Sequence, residues 1–261
     1  WVVDSSIHYK DPDEGKSREI DIVATKFIKK QIRELDTNLM LRAELLIQCK
    51  NLIEPIIFLS TKKSRNNDIF WDEWIRFYSP FKDIILPEDK KLLRITEFLE
   101  LFKIHHFFDL QRKVVNLKIL PQKSSQESTD RIKDQYNDIV IDMVKSITAQ
   151  DQELKRHISI LSKDGKNTYL YPFAVLLPVL VITEEFYEFY KQDGEYNCQK
   201  TNYLQMMTDY ISSSISGKFQ FDIVSKANFE NFLNNRIENT LNNIFKRLDL
   251  GIVPIVKFGR N

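Results

Sequence analysis

Alternating apolar and polar positions predict three strands in the first quarter of the chain. Residues 19–28 and 40–50 are apolar and β-branched runs interrupted by single polar residues, and residues 56–60 form a third, mostly apolar run. The segment between the first two runs is polar, so we expect a long antiparallel hairpin with its tip near residues 34–38. Pro55 is expected to end the second strand.

The second half of the chain mixes helical and strand patterns. Apolar residues recur every three or four positions in residues 130–151 and again in residues 228–248, which predicts two amphipathic helices. The pair Asp193-Gly194 between apolar runs indicates a tight hairpin. Further strands are expected at residues 174–182, 203–211 and 219–224.

Residues 61–129 have a different character. A dense aromatic cluster at residues 70–78 and helical spacing at residues 92–108 predict an aromatic helical insertion beside the sheet. Residues 121–129 are rich in Ser and Gln after a Pro, which is typical of a linker. The predicted fold class is therefore α/β, with a central mixed β-sheet flanked by helices and this insertion.

The polar positions of the first two strands carry the specific chemistry of the sequence. Successive side chains in a strand point to opposite faces. Glu19 and Asp21 should therefore share one face, with Ile20 and Ile22 on the other. By the same rule Gln48 and Lys50 share a face, and Cys49 turns away as a small buried hydrophobe. Two neighbouring strands would then place an acid, an amide and an amine on one wall of a cleft.

This spacing resembles the restriction-endonuclease-like PD-(D/E)xK nuclease superfamily. The resemblance rests on Ile20-Asp21 and on an apolar strand that ends in Gln48-Cys49-Lys50, and it covers about residues 18–60. The match is to the Mrr-type variant, in which Gln replaces the usual Glu. The resemblance implies core strands in residues 1–60, the insertion and linker in residues 61–129, and the remainder of the α/β domain on the same sheet in residues 130–261.

The resemblance also implies roles for the motif residues. Asp21 would supply a charged ligand to Mg²⁺, for which Mn²⁺ can substitute, and Gln48 an amide oxygen. The backbone carbonyl of Cys49 would be a further ligand, and Lys50 would position or deprotonate the attacking water. Glu19 is the first candidate for an additional ligand, because Gln at position 48 removes a negative charge.

Ordinary structural roles are open for the same residues. Asp21 could simply pair with Lys50, Gln48 could be a solvent-facing strand residue, and Glu19 could be a surface or salt-bridge residue. The basic run after the third strand contains Lys62, Lys63 and Arg65 and lies where DNA phosphates would pass, although a solvated loop explains it equally well. The tandem His105-His106 lies among aromatic residues and is expected to pack rather than react.

Composition restricts the classes of function that remain open. The 261 residues carry 38 basic and 37 acidic side chains, so the net charge of +1 argues against a general polyanion coat. No glycine-rich phosphate-binding motif occurs. The two cysteines form no disulfide framework or zinc spacing, which fits a reducing cytoplasm. The longest apolar run, residues 173–182, is too short to cross a bilayer, so no membrane association is expected.

The sequence thus favours a metal-dependent DNA endonuclease, with bacterial or mobile-element defence as the expected setting. The alternative is a catalytically inactive nuclease-fold protein that binds nucleic acid or a partner protein. A third interpretation is an unrelated α/β interaction module in which the motif is accidental. A homodimer, and an additional specificity domain or partner protein, are further expectations for a nuclease.

Overall fold

The computed structural model describes residues 1–51, 55–63, 74–86, 90–119, 128–163 and 170–260, without the side chains of residues 128–137, 160–163, 170 and 260. The strands in these residues are β1 (Val2–Lys10), β2 (Ser17–Ile32), β3 (Thr37–Lys50), β4 (Ile56–Lys62), β5 (Arg76–Tyr78), β6 (Asp83–Ile85), β7 (Leu92–Arg94), β8 (Arg112–Ile119), β9 (Leu170–Ile182), β10 (Phe186–Gln192), β11 (Glu195–Thr201), β12 (Tyr203–Ile211), β13 (Ser216–Ser225) and β14 (Gly259–Arg260). The α-helices are α1 (Ile95–Phe98), α2 (Leu101–Ile104), α3 (Ser128–Lys163), α4 (Phe229–Phe232) and α5 (Glu238–Phe258).

Most of these strands form one mixed sheet. The order is β1-β2-β3-β9-β13-β12-β8-β4-β10-β11, and β5 pairs with β9 beside this path. The three strands β1, β2 and β3 are antiparallel neighbours, and α3 then leads to β9, which lies parallel to β3 along its whole length. The predicted α/β class with a mixed central sheet is confirmed, and all three predicted segments contribute strands to this sheet.

A hydrophobic core lies on each face of the sheet. On one face α3 packs through a stripe that recurs at three and four positions: Ile139, Val140, Met143, Val144, Ile147, Leu154 and Ile158. On the other face α5 packs through Leu241, Ile244, Leu248, Ile252 and Ile255. A π-helical turn, Leu233–Ile237, joins α4 to α5. The two amphipathic helices predicted from the sequence are confirmed as the covers of the two faces.

The hairpins also follow their local sequence signals. Arg33–Leu35 forms a 3₁₀ turn at the tip between β2 and β3, and Asp36 adopts the left-handed conformation after it. Asp193 and Gly194 both have positive φ between β10 and β11. That combination is typical of a type I′ turn, which matches the right-handed twist of the flanking strands.

The predicted helical insertion is confirmed only in short pieces, because α1, α2 and a 3₁₀ turn at His106–Phe108 lie within the residues 92–108 that were expected to be helical. Among the described residues of 61–129, only α1 and α2 are α-helical before the start of α3, and each has four residues. The aromatic Phe77 and Tyr78 belong to β5, and β8 is a strand of the main sheet. Residues 70–73, which include the aromatic Phe70 and Trp71, lie outside the described residues, as does most of the predicted linker. Aromatic residues favour strands as readily as buried helices, which is why spacing alone misled.

The predicted third strand is confirmed as β4, and it lies far from β3 in the sheet. β4 pairs with β8 and β10 and is five strand positions from β3. At about 4.8 Å between neighbouring strands, the two strands are roughly 24 Å apart across the sheet. The place beside β3 is taken by β9.

Candidate active site

Asp21 and the Gln48–Lys50 triplet meet where β2 and β3 separate. The β2–β3 ladder ends at the pair of Ile22 and Ile47. Beyond this pair the Asp21 Oδ2 atom accepts a hydrogen bond from the backbone N–H of Cys49, at 2.6 Å. The carboxylate therefore stands in for a missing backbone partner. It lies at the centre of the triplet, within one residue of both Gln48 and Lys50.

A local break in the pleat creates this arrangement. Ser6 of β1, which would pair with Asp21, has a φ of 53° and is skipped in an otherwise continuous β1–β2 ladder. Left-handed φ is uncommon for a residue other than Gly and changes the direction of the following side chains. In β2, opposite this position, Ile20 packs in the α3-side core and Ile22 against the α5-side core, so the alternation of side chains is interrupted between them. The expectation that these two isoleucines share a face is wrong.

Glu19 and Gln48 meet through the backbone. The Glu19 side chain is exposed, and its backbone carbonyl accepts a hydrogen bond from Gln48 Nε2 at 3.1 Å. The same Nε2 donates to Ser146 Oγ of α3 at 2.9 Å, and Gln48 is only 4% exposed. Because a carbonyl can only accept, the amide nitrogen is the group held by these contacts, and the amide oxygen is the atom left to act as a ligand. A solvent-facing Gln48 is excluded.

Lys50 pairs with a helix carboxylate. Its Nζ lies 2.8 Å from Asp142 Oδ2 of α3, and Arg18 Nη1 lies 2.9 Å from the other oxygen of the same carboxylate. Lys50 and Asp142 are each 27% exposed at the side chain, so the pair lies at the rim of the helix–sheet interface. Asp142 therefore faces two cations and fixes the direction of the lysine.

A second layer of charges supports Arg18. The buried Asp11 accepts from Lys145 Nζ at 2.6 Å and from Arg18 Nε. Burial alone would raise the pKa of Asp11, but the hydrogen bonds from Lys145 and Arg18 outweigh it and hold that pKa well below its usual range. Glu14 accepts from Lys145 at 3.0 Å and from Arg18 at 2.8 Å, and these contacts lower its pKa to about 2.

Cys49 is exposed, so its predicted burial is wrong. Partial burial of the sulfur and then the Asp21 carboxylate both raise the pKa of the Cys49 thiol, although the residue as a whole reaches solvent. The thiol is therefore held in its protonated form, which is the less reactive one. Its backbone, rather than its side chain, is what the site uses.

The predicted basic nucleic-acid segment is divided by the structure. Lys62 is exposed at the end of β4. Lys63 instead turns inward, and its Nζ donates to the carbonyl of Phe107 at 2.6 Å and to Gln205 Oε1 at 2.8 Å. Arg65 lies outside the described residues. The charge of Lys63 is thus engaged by the protein itself.

The adjacent His105 and His106 are buried, and His106 forms hydrogen bonds with two other segments of the chain. His106 Nε2 lies 2.8 Å from Asp222 Oδ2, and its Nδ1 lies 2.9 Å from Thr240 Oγ1. All three residues are at most 3% exposed. The geometry resembles a hydroxyl–imidazole–carboxylate relay, but a substrate has no access to it. The packing role predicted for these histidines is the one that their burial supports.

Sequence inspection missed the helix side of the site. Asp142, Ser146 and Gln150 follow one another at spacing four on α3 and contact Lys50, Gln48 and Glu44 of β3, respectively. Side chains at this spacing lie on one face of a helix. A polar stripe beside the apolar stripe of an amphipathic helix was the available signal. Its partners on β3 could not be named without knowing that α3 crosses this strand.

The metal ligands that were expected form a sparse set. Within the part of the chain that the structure describes, no group of three or more His, Cys, Asp or Glu side chains is placed to hold a metal ion. Within the described residues, two carboxylates contact the triplet: Asp21 accepts from the Cys49 amide, and Asp142 pairs with Lys50. Among the described helices, none has both the length and the apolar character needed to span a membrane.

No family model, no curated protein and no solved structure shows a significant match to this chain.

Proposed function

We propose that the protein is a metal-dependent DNA endonuclease whose centre is Asp21 with the Gln48–Lys50 triplet. The observation that carries this proposal is the 2.6 Å hydrogen bond between Asp21 Oδ2 and the Cys49 amide. It brings together two motif halves that are 27 residues apart in sequence. The pairing of β2 with β3 places these positions side by side, and the hydrogen bond directs the Asp21 carboxylate to the middle of the triplet.

The donor set fits a Mg²⁺ site of modest affinity. Mg²⁺ keeps several of its waters and is usually held by one or two carboxylates together with substrate phosphates. Asp21, the amide oxygen of Gln48 and the backbone carbonyl of Cys49 would hold it, with the phosphate of the bound DNA completing the site. The ion would neutralise charge on the phosphate and supply a hydroxide from a bound water at neutral pH.

The protein groups divide the remaining work. Asp21 is oriented by the Cys49 amide, so one carboxylate oxygen is fixed and the other faces the site. The Gln48 amide is locked by Ser146 and by the Glu19 carbonyl, which removes its freedom to rotate. Lys50 holds its positive charge beside the site through Asp142 and would orient the attacking water or stabilise the charge that develops on the phosphate.

Plasmid cleavage in Mg²⁺ and in Mn²⁺ tests the proposal. Asp21→Asn keeps an oxygen that can accept the Cys49 N–H but removes the ligand charge, and Lys50→Met keeps the length of the side chain without its ammonium. We expect each variant to lose more than the roughly 100-fold that loss of a group supporting a metal ligand costs. Circular dichroism and thermal unfolding establish that both variants are folded.

Matched controls exist on β1 and β2. Lys30 of β2 pairs with Asp249 of α5 at 2.7 Å, so Lys30→Met removes a strand-to-helix ion pair like that of Lys50. Asp4→Asn neutralises an exposed β1 carboxylate near Asp21 in the sheet. Both controls should cleave at the wild-type rate. Wild-type protein that is inert in both metals, or site variants as active as the controls, would refute the catalytic assignment.

A catalytically inactive nuclease-fold protein that binds nucleic acid is the second candidate. It is favoured by the pairing of Lys50 with Asp142 and by the lack, among the described residues, of three or more His, Cys, Asp or Glu side chains grouped to hold a metal ion. It predicts DNA binding without cleavage in either metal. In that case Asp21→Asn leaves DNA affinity unchanged or raises it, because the substitution removes a negative charge from the binding face.

A further inference from the structure

A cleft of about 790 Å³ lies on the flank of α3 opposite to the candidate active site. Thr148, Asp151 and Lys155 line it from α3, at the three- and four-residue spacing of one helix face. Arg76 of β5 lines it from the sheet, and residues 209–211 and 214–219 close it from the tip of the β12–β13 hairpin. Cavities of 300–1,000 Å³ are typical of small-molecule sites.

The floor of the cleft holds a fixed guanidinium. Arg76 Nη2 donates to the backbone carbonyl of Lys218 at 2.7 Å, and the guanidinium carbon lies 5.2 Å from the centre of the Phe219 ring. Its Nε is 3.8 Å from Asp151 Oδ1. These contacts hold the group in one orientation, which lowers the entropic cost of binding an anion.

Asp151 belongs to the same floor and is itself neutralised. It accepts from Lys155 Nζ at 2.6 Å and from the hydroxyl of Tyr78. Burial, and then the Asp151 charge, raise the pKa of Tyr78, so the hydroxyl keeps its proton and remains a donor. The lining therefore carries three cations, Arg76, Lys155 and Lys218, against the two carboxylates of Asp151 and Asp209, and the cleft keeps an excess of positive charge.

The rim of the cleft carries an exposed carboxylate, hydroxyl groups and an aromatic ring. Asp209 is exposed and lies directly across the hairpin from Lys218. The ring of Tyr210 is half-buried and meets Phe219 edge-on, with ring centres 6.5 Å apart. Ser214 and Ser216 add hydroxyl groups at the hairpin tip. The cleft therefore combines cations, an accessible carboxylate, hydroxyls and an aromatic ring.

We propose that this cleft binds a nucleoside monophosphate. Arg76, Lys155 and Lys218 would receive the phosphate, because Arg and Lys are the usual phosphate-binding side chains. Asp209 would accept hydrogen bonds from the sugar hydroxyls, as acidic residues do in other nucleotide sites. Tyr210 would contact the base through its ring. This site is separate from the Asp21 centre and does not depend on nuclease activity.

Isothermal titration calorimetry of AMP, GMP, CMP and UMP against the full chain tests this proposal. We expect at least one nucleotide to bind, and Lys155→Gln and Lys218→Met each to weaken that binding about tenfold or more, because each removes a charge-assisted contact. Asp209→Asn should reduce the preference for AMP over its 2′,3′-dideoxy analogue. Ser216→Trp, which fills the cleft from an exposed position, should abolish binding.

Lys191→Met is the matched control. Lys191 Nζ lies 5.4 Å from the Tyr196 ring on the β10–β11 hairpin, as Lys218 Nζ lies 5.5 Å from the Trp74 ring. Binding by this variant should equal that of the wild type. Inorganic phosphate, ribose 5-phosphate and a 5′-phosphorylated oligonucleotide complete the series.

Three results would overturn the proposal. The first is absence of binding for all four nucleotides at millimolar concentration. The second is binding that the cleft variants do not weaken, which locates the ligand elsewhere. The third is equal affinity for inorganic phosphate, or binding of the oligonucleotide alone, because these assign the cleft to a simple anion or to a strand end. Cleavage of plasmid by the same variants is measured in parallel and bears only on the Asp21 centre.

Discussion

The two faces of β3 differ sharply in what they bury. Toward α5 the strand presents only apolar side chains: Leu39, Leu41, Ala43, Leu45 and Ile47. Toward α3 the alternate positions include Arg42, Glu44, Gln48 and Lys50, whose partners lie on α3. One strand thus forms an apolar interface with α5 on one side and a hydrogen-bonded polar interface with α3 on the other. The polar side chains of β3 and their α3 partners are called the polar seam below.

This difference separates the face of β3 that stabilises the fold from the face that carries the candidate functional groups. Burying a polar or charged group costs free energy unless every partner is present, whereas apolar burial is favourable without such conditions. A polar seam under a helix is therefore a poor way to stabilise a sheet. Its retention along β3, ending at the Asp21 centre, is what we expect if the α3 side positions functional groups and the α5 side supplies the stability.

The largest expected effect comes from breaking the seam at Glu44. This carboxylate is fully buried, pairs with Arg42 and accepts from Gln150 at 2.6 Å. Glu44→Leu leaves Arg42 without its buried partner and should cost about 3–5 kcal/mol in the free energy of unfolding. The double variant Arg42→Met/Glu44→Leu should recover most of this loss. Urea unfolding of both variants measures it, and a double variant no better than the single one would contradict this view of the seam.

The next effect concerns the α5 face. Leu241 is fully buried in that core, so Leu241→Ala should lower the free energy of unfolding by about 2–5 kcal/mol through lost burial and a cavity. Leu250 lies on the same helix but is 70% exposed, and Leu250→Ala should change stability by no more than about 0.5 kcal/mol. Equal effects of the two substitutions in urea unfolding would show that this face is not the stabilising one.

A smaller effect follows from the charges behind Arg18. The pKa values of Asp11 and Glu14 are lowered in the folded state, so the unfolded chain binds more protons in acid. Their stabilisation is complete above the unfolded pKa values. It is lost as the pH falls through the folded ones, which for Glu14 means between its ordinary value of 4.5 and about 2. Asp11→Asn should flatten the fall of unfolding free energy between pH 5 and pH 3, measured by urea titration at each pH, whereas the exposed Asp109→Asn should not.

The smallest expected effect is at Lys62, five strands away from β3. If DNA crosses this edge, Lys62→Ala should weaken binding slightly and reduce the slope of log K against log salt by about 0.9. Lys63→Met should leave that slope unchanged, because its ammonium is already held by Gln205 and by the Phe107 carbonyl. Fluorescence anisotropy with labelled duplex at several salt concentrations measures both. Identical slopes for Lys62→Ala and wild type would remove this edge from the DNA path.

Much of the fold could be predicted because its signals are local. The β2–β3 hairpin, the Asp193-Gly194 turn and the apolar stripes of α3 and α5 each depend on residues close in sequence. The position of β4 could not be predicted in this way, since strand order depends on contacts between distant segments. The aromatic segment was assigned to helix because spacing was considered without the strand preference of aromatic residues.

The candidate site was predictable in part. The convergence of Asp21 with the triplet followed from alternation and pairing, but the interrupted alternation between Ile20 and Ile22 could not be read from their sequence pattern. Asp142 and Ser146 could not be assigned to the site from β2 and β3 alone. They reach it only because α3 crosses β3 on the way to β9.

The most direct test of the central claim is the position of a bound paramagnetic ion. Amide resonances of the wild-type protein are followed by NMR during titration with Mn²⁺. We predict selective broadening of the Cys49 amide and of its neighbours around Asp21, which disappears in Asp21→Asn and persists in Asp4→Asn. Broadening that spares Cys49, or that survives in Asp21→Asn, would contradict a metal centre formed by Asp21 and the Gln48–Lys50 triplet.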